Sequence, residues 1–209
     1  PANGQFSCRD QRELRMQADN KPSISAEEIL TAEFEYIAQT ASQANDDRSS
    51  VVSFFVIAVG SPLAAFFSTG IAKMSDENEF ILFTALFFIL SVLGTTTILQ
   101  LARLRGAWYE SMLAMNHMKE FLIKNSDSDI SGAFRWTINT APARFKPNSV
   151  SFYQALQVSI LAGLLFGAFI FFLLHSLGMQ REFLIWLTST LLGLFFAGAQ
   201  IFLYRRLLK

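Results

Sequence analysis

Few residues in this chain could do covalent chemistry, and none stand at a spacing that demands it. His117 and His175 are its two histidines, and Cys8 is its single cysteine. No G-x-S-x-G, H-E-x-x-H or P-loop pattern occurs. Asp46 and Asp47 are adjacent, and paired carboxylates can ligate a divalent cation. An ion pair with Arg48, Arg103 or Arg105 is the simpler use of them. Asp127 and Asp129 fall in a polar break, where solvation is the default. A lone cysteine closes no disulfide within one chain and builds no thiolate zinc site. The residues before it, Gln5-Phe6-Ser7, lack the small and aliphatic character of a lipoprotein signal, so a free thiol is expected. These residues lead us to expect neither an enzyme, a cofactor nor a metal.

The densest mixture of functional groups lies in 131–150. Phe134, Arg135 and Trp136 are followed by Arg144, Phe145 and Lys146, with Pro142 and Pro147 interrupting regular structure. Aromatic rings interleaved with cations suit docking at a membrane surface. The same groups could instead hold a nucleotide or another anion. Arg103, Arg105, Arg135, Trp136, Arg144 and Lys146 are the expected membrane-surface anchors, with Arg103 and Arg105 snorkelling to the headgroups.

The elements that must position these groups are long and apolar. Four runs, 51–70, 80–101, 152–176 and 183–204, contain no Asp, Glu, Lys or Arg. Each has roughly the twenty residues a helix rising ~1.5 Å per residue needs to cross a ~30 Å hydrocarbon core. A soluble helix of that length would carry a polar stripe. The chain is 52% hydrophobic with 22 Phe, too apolar for an ordinary soluble domain. The expected fold is all-α and polytopic, with four transmembrane helices and cytoplasmic helical extensions. The parts are a flexible segment (1–24), a cytoplasmic amphipathic helix (25–50), a transmembrane hairpin (51–101), a cytoplasmic helix with an interfacial loop (102–151), a second hairpin (152–204) and a basic tail (205–209).

Net charge is zero, so no global field recruits nucleic acid. The placement of cations is informative. They cluster before the first run, between the second and third, and after the fourth; only Lys73 and Arg181 fall in the short connections. The positive-inside rule then puts both termini and the central segment in the cytoplasm, in a cell inner membrane. Residues 1–50 are too polar for too long to be a signal peptide. The chain opens on Pro rather than Met, so we expect the true start to be missing.

Local signals refine this organisation. Ser25-Ala26-Glu27-Glu28 has the form of a capping box. The helix after it places Leu30, Phe34, Ile37, Ala41 and Ala44 on one face, with Glu27, Glu28, Thr31, Glu35, Gln39 and Gln43 mostly opposite. An acidic polar face suits packing on protein rather than on an anionic bilayer. Leu101, Leu104, Trp108, Met112, Met115 and Leu122 continue a helical spacing, predicting one helix from Phe80 to about Ile123, broken at most at Gly106. Phe34, Ile37, Trp108, Met112 and Met115 are the candidate cytoplasmic interface. Gly60-Ser61-Pro62 marks either a hinge or a static kink.

Inside the membrane, Ala155, Ser159, Gly163 and Gly167 recur every four residues, as do Ser189, Gly193 and Ala197. Small residues at this spacing let helix backbones approach closely. The stripes serve either the hairpin of the last two helices or a neighbouring subunit. Phe54, Phe55, Phe66, Phe67, Phe83, Phe87 and Phe88 suit lipid contact or an apolar pore lining. Uncharged polar groups such as Ser61, Thr84, Ser91, Thr95, Thr97, Gln157, Thr188 and Gln200 either bond within the bundle or line a watery path. Among His, Asp, Glu, Lys and Arg, only His175 lies within a run, near its outer end, and a solvated surface role is the simpler one.

Two stretches carry a resemblance. One is Glu33-Phe34-Glu35-Tyr36-Ile37 through Asn45-Asp46-Asp47-Arg48, running straight into an apolar run; the other is Ala133-Phe134-Arg135-Trp136 through Lys146-Pro147. Together they resemble small bacterial membrane proteins with helical cytoplasmic extensions, nearest the SLATT-type membrane effectors of conflict and defence systems. That resemblance implies a homo-oligomeric, pore- or channel-like protein that perturbs the membrane when triggered from the cytoplasm. Its partners would be the lipid bilayer, further copies of itself and a cytoplasmic protein or signal. A non-conducting anchor that recruits a soluble partner is the alternative.

Overall fold

The computed structural model describes residues 25–69, 77–126, 132 and 134–209, without the side chains of 65–67, 69 and 77–79. The expectations for 1–24 with Cys8, for the connection at 70–76 with Lys73, and for Asp127 and Asp129 lie outside these residues.

Among the described residues four α-helices make up the fold: α1 (Ala26–Thr69), α2 (Glu77–Lys124), α3 (Val150–Ser176) and α4 (Glu182–Leu207). No strand occurs among the described residues. The chain divides into two compact units, 1–36 and 37–209. In the first, α1 opens with a reciprocal capping box. The Glu28 N–H donates to Ser25 Oγ, and the Ser25 N–H donates to Glu28 Oε2, both at 3.1 Å. Two N-terminal donors that the helix cannot satisfy itself are thereby paired.

In the second unit α3 packs against both α2 and α4. The core joins Phe55 and Val59 of α1, Phe87, Leu90, Ile98 and Leu101 of α2, Val158, Ala162, Leu165 and Phe172 of α3, and Tyr204 and Leu208 at the C-terminal end. Gly94 makes the α2–α3 approach possible. A Cβ added there would lie 2.5 Å from the Cβ of Ala162 and 3.2 Å from the Phe55 ring. A hairpin links α3 to α4 through a Schellman closure. The Gly178 N–H donates to the His175 carbonyl and the Met179 N–H to that of Leu174, with Gly178 at φ 74°.

Among the described residues three helices, not four, are long and apolar enough to cross a membrane: α2, α3 and α4. The first expected span is therefore corrected. It continues α1 without a break through Pro62. Part of that run, at 65–67, 69 and 70, lies outside the described side chains, and its described part is interrupted by Gly60, Ser61 and Pro62. By contrast, α2 is the single helix that its periodicity predicts, and Gly106 does not interrupt it.

Candidate functional site

At one end of the bundle two arginines turn inward. Arg48 lies three residues before the apolar stretch of α1, and Arg105 four residues beyond Leu101 on α2. They retain only 6% and 8% of their exposure. Both line a cavity of about 310 Å³ with Ala41, Ser42 and Asn45 of α1, Trp108 of α2, and residues 149–151 at the start of α3. Ser42, Asn45 and Val150 are exposed, so the cavity opens to the surface.

Ser151 is the hub. Its Oγ accepts from Arg48 Nη1 at 2.5 Å, and its carbonyl accepts from the buried Tyr204 hydroxyl at 3.4 Å. Arg48 Nη2 donates to Asn45 Oδ1 one turn back along α1. Arg48 Nε is buried without an acceptor. Arg105 Nε donates to the Arg144 carbonyl at 3.2 Å, and its guanidinium lies 4.3 Å from the centre of the Trp108 ring. The two guanidiniums are close enough to repel one another. Burial pulls Arg48 below the usual arginine range.

The α3 N-terminus completes the wall. Ser149 caps it, its Oγ accepting from the Phe152 N–H and donating to the Lys146 carbonyl. No Asp or Glu lines the cavity. Among the described residues neither Arg48 nor Arg105 has a carboxylate within ion-pair distance. The expected pairing of Asp46 and Asp47 with these arginines is thus corrected. Both acids are exposed, while the arginines point into the bundle. The lining offers guanidinium donors and serine hydroxyls.

Other expected site residues fall into distinct places. Arg105, expected to reach outward as a membrane-surface anchor, instead turns inward, packing against Trp108 and the Arg144 carbonyl. Arg103, Arg135, Trp136 and Lys146 are exposed, and Arg144 lies half-buried across Gly106 with Glu110 at 3.8 Å. Met112 is buried and receives an N–H from the Asn116 amide, which removes it from the expected cytoplasmic interface. Trp108, Met115, Phe34 and Ile37 are half-buried.

The two small-residue stripes meet each other. A Cβ on Gly163 would lie 2.7 Å from the Gly193 carbonyl and 2.7 Å from the Cβ of Ala197; one on Gly167 would lie 3.1 Å from the Ser189 carbonyl. Ala155 and Ser159 are buried on the same helix. These contacts occupy the stripes within one chain. The expected lipid-facing Phe set is split, since Phe55 and Phe87 are core residues while Phe54 and Phe88 are exposed. His175 is half-buried against Phe80 and Phe171, with Glu182 at 3.9 Å, rather than solvated.

Sequence reading missed Asn45, Ser149, Ser151 and Tyr204 as site residues. The available signal was their shared position at apolar boundaries, which antiparallel helices bring level. Comparison with family models, curated proteins and solved structures finds no match for this chain.

Proposed function

We propose that this chain is a membrane effector that assembles with copies of itself in a bacterial inner membrane and perturbs the bilayer when triggered from the cytoplasm. The end carrying Arg48, Arg105, Arg205 and Arg206 faces the cytoplasm under the positive-inside rule. The observation that carries the reading is α2, which continues as one helix from its apolar run to Lys124. A push on its polar end moves the part among the lipids, because a helix transmits displacement along its axis. The hydroxyls of the helices support a path between copies rather than one through a single chain. Thr84, Ser91, Thr95, Thr97, Ser159 and Thr188 each donate to a carbonyl of their own helix, and Gln200 donates to Thr95 Oγ1. Most of these groups are spent on their own helices, although the buried oxygens of Gln154, Ser189 and Gln200 lack a partner, so a path between copies is the favoured one.

Exposed Phe121 and Leu122 at the far end of α2 favour a second reading, a non-conducting anchor that docks a soluble partner there. Expression with a potential-sensitive dye, together with native mass of the purified protein, separates the two. The effector reading expects depolarisation and a ring of several copies. A monomer that leaves the potential intact would sink it and leave the anchor.

A further inference from the structure

Arg48 and Arg105, each a residue more than nine-tenths buried, line one cavity, and among the described residues no carboxylate pairs with either. A buried charge is costly unless it is paired, and removing a counterion from such a site costs more than the pair itself contributes. The partners present are neutral. Ser151 and Asn45 accept two hydrogen bonds from Arg48, and Trp108 offers Arg105 its ring face. Arginine has five N–H donors. Arg48 therefore keeps donors unspent, including a buried Nε–H without an acceptor. Arg105 spends only its Nε on the Arg144 carbonyl.

The third wall adds partial positive charge. The start of α3 borders the cavity, and Ser149 caps only the Phe152 N–H. A helix N-terminus with free N–H groups favours an anion, and arginine forks match the oxygens of a phosphate. These features are independent, since the unsatisfied Arg48 nitrogen belongs to α1. We propose that this cavity binds a phosphate-bearing anion held between Arg48, Arg105 and the N-terminus of α3. It lies where the apolar runs end, at headgroup depth. A phospholipid headgroup and a free phosphate compound present the same oxygens to it. The inference stands on this geometry and holds whether the protein is an effector or an anchor.

The test uses the full chain in dodecyl maltoside, a detergent without phosphate. Thermal unfolding is followed as inorganic phosphate is added, against sodium chloride at matched ionic strength. In parallel, native mass reads lipid retained after exposure to phosphatidylglycerol or to phosphatidylcholine. A ligand that binds only the folded state raises the unfolding temperature in proportion to the logarithm of its concentration above Kd. A rise with phosphate supports a site that accepts free anions. Selective retention of phosphatidylglycerol without that rise supports a headgroup site.

Arg48→Gln and Arg105→Gln should each weaken binding by about tenfold or more, as charge-assisted hydrogen bonds are lost. Either substitution could also disturb folding, so Asn45→Asp is the deciding variant. Its exposed carboxylate would neutralise Arg48 in place, leaving the fold at least as stable while abolishing the anion response. If neither phosphate nor phosphatidylglycerol has a selective effect, or if Asn45→Asp responds as the parent does, the site is refuted.

Discussion

At the residue scale, one atom of space decides more than residue type. Gly94 and Gly198 look alike in the sequence, yet a Cβ on Gly94 would collide with Ala162, whereas nothing lies within 4 Å of one on Gly198. Gly94→Ala should cost about 1–3 kcal/mol through overpacking between two backbones that cannot retreat. Gly198→Ala should instead gain about 0.5–1 kcal/mol by lowering the entropy lost on helix formation. Unfolding in detergent micelles measures both, and equal effects would contradict the α2–α3 approach described above. Periodicity alone cannot make this distinction, because both glycines lie in helical apolar runs. Asn116 teaches the same lesson. It reads as one polar residue among several, but it is 1% exposed and ties α2 to the Thr137 carbonyl.

At the element scale, helix starts and lengths are local properties, and they are legible. Ser25 and Glu28 close their capping box within a single turn, and α2 keeps its apolar spacing across Gly106. Breaking that continuity tests the coupling role of α2. Ala107 is exposed, so Pro at this position meets no packing obstacle but removes a helical hydrogen bond and clashes with the preceding turn. Ala107→Pro should destabilise the helix locally by about 3 kcal/mol. The effector reading expects depolarisation to fall sharply while membrane insertion is retained. Full depolarisation by this variant would mean that the polar half of α2 transmits nothing. The small-residue stripes were legible as packing surfaces but not by partner. Four-residue spacing licenses close approach to any helix, and only the fold shows α3 and α4 using it on each other.

At the scale of the whole molecule, the apolar surface is the dominant fact. Leu191, Leu194, Phe195 and Phe202 of α4 are exposed, as are Ile81, Leu82, Phe88 and Ile89 of α2. Such a surface is unstable in water and at home among lipid tails. Leu194→Lys puts a charge on that surface, and at mid-membrane it should raise the cost of insertion by about 2.5–3.5 kcal/mol. Fractionation into membrane and aggregate reads the loss. A variant that inserts like the parent would show that this face of α4 meets water or a polar partner instead of lipid.

The sequence by itself determined the helical class, the apolar length of three helices, the limits of α2 and the cap of α1. Each depends on composition or on residues within a few turns of one another. Three of the four expected spans stand, among the described residues, as helices long and apolar enough to cross a membrane. Tertiary structure alone decided the destinations of side chains. Arg48 and Ser151 lie 103 residues apart yet share a hydrogen bond, and no local pattern encodes that meeting. An arginine at an apolar boundary can reach outward to headgroups or inward to a cavity with equal ease. The direction taken depends on which helices arrive beside it and which acceptors they bring.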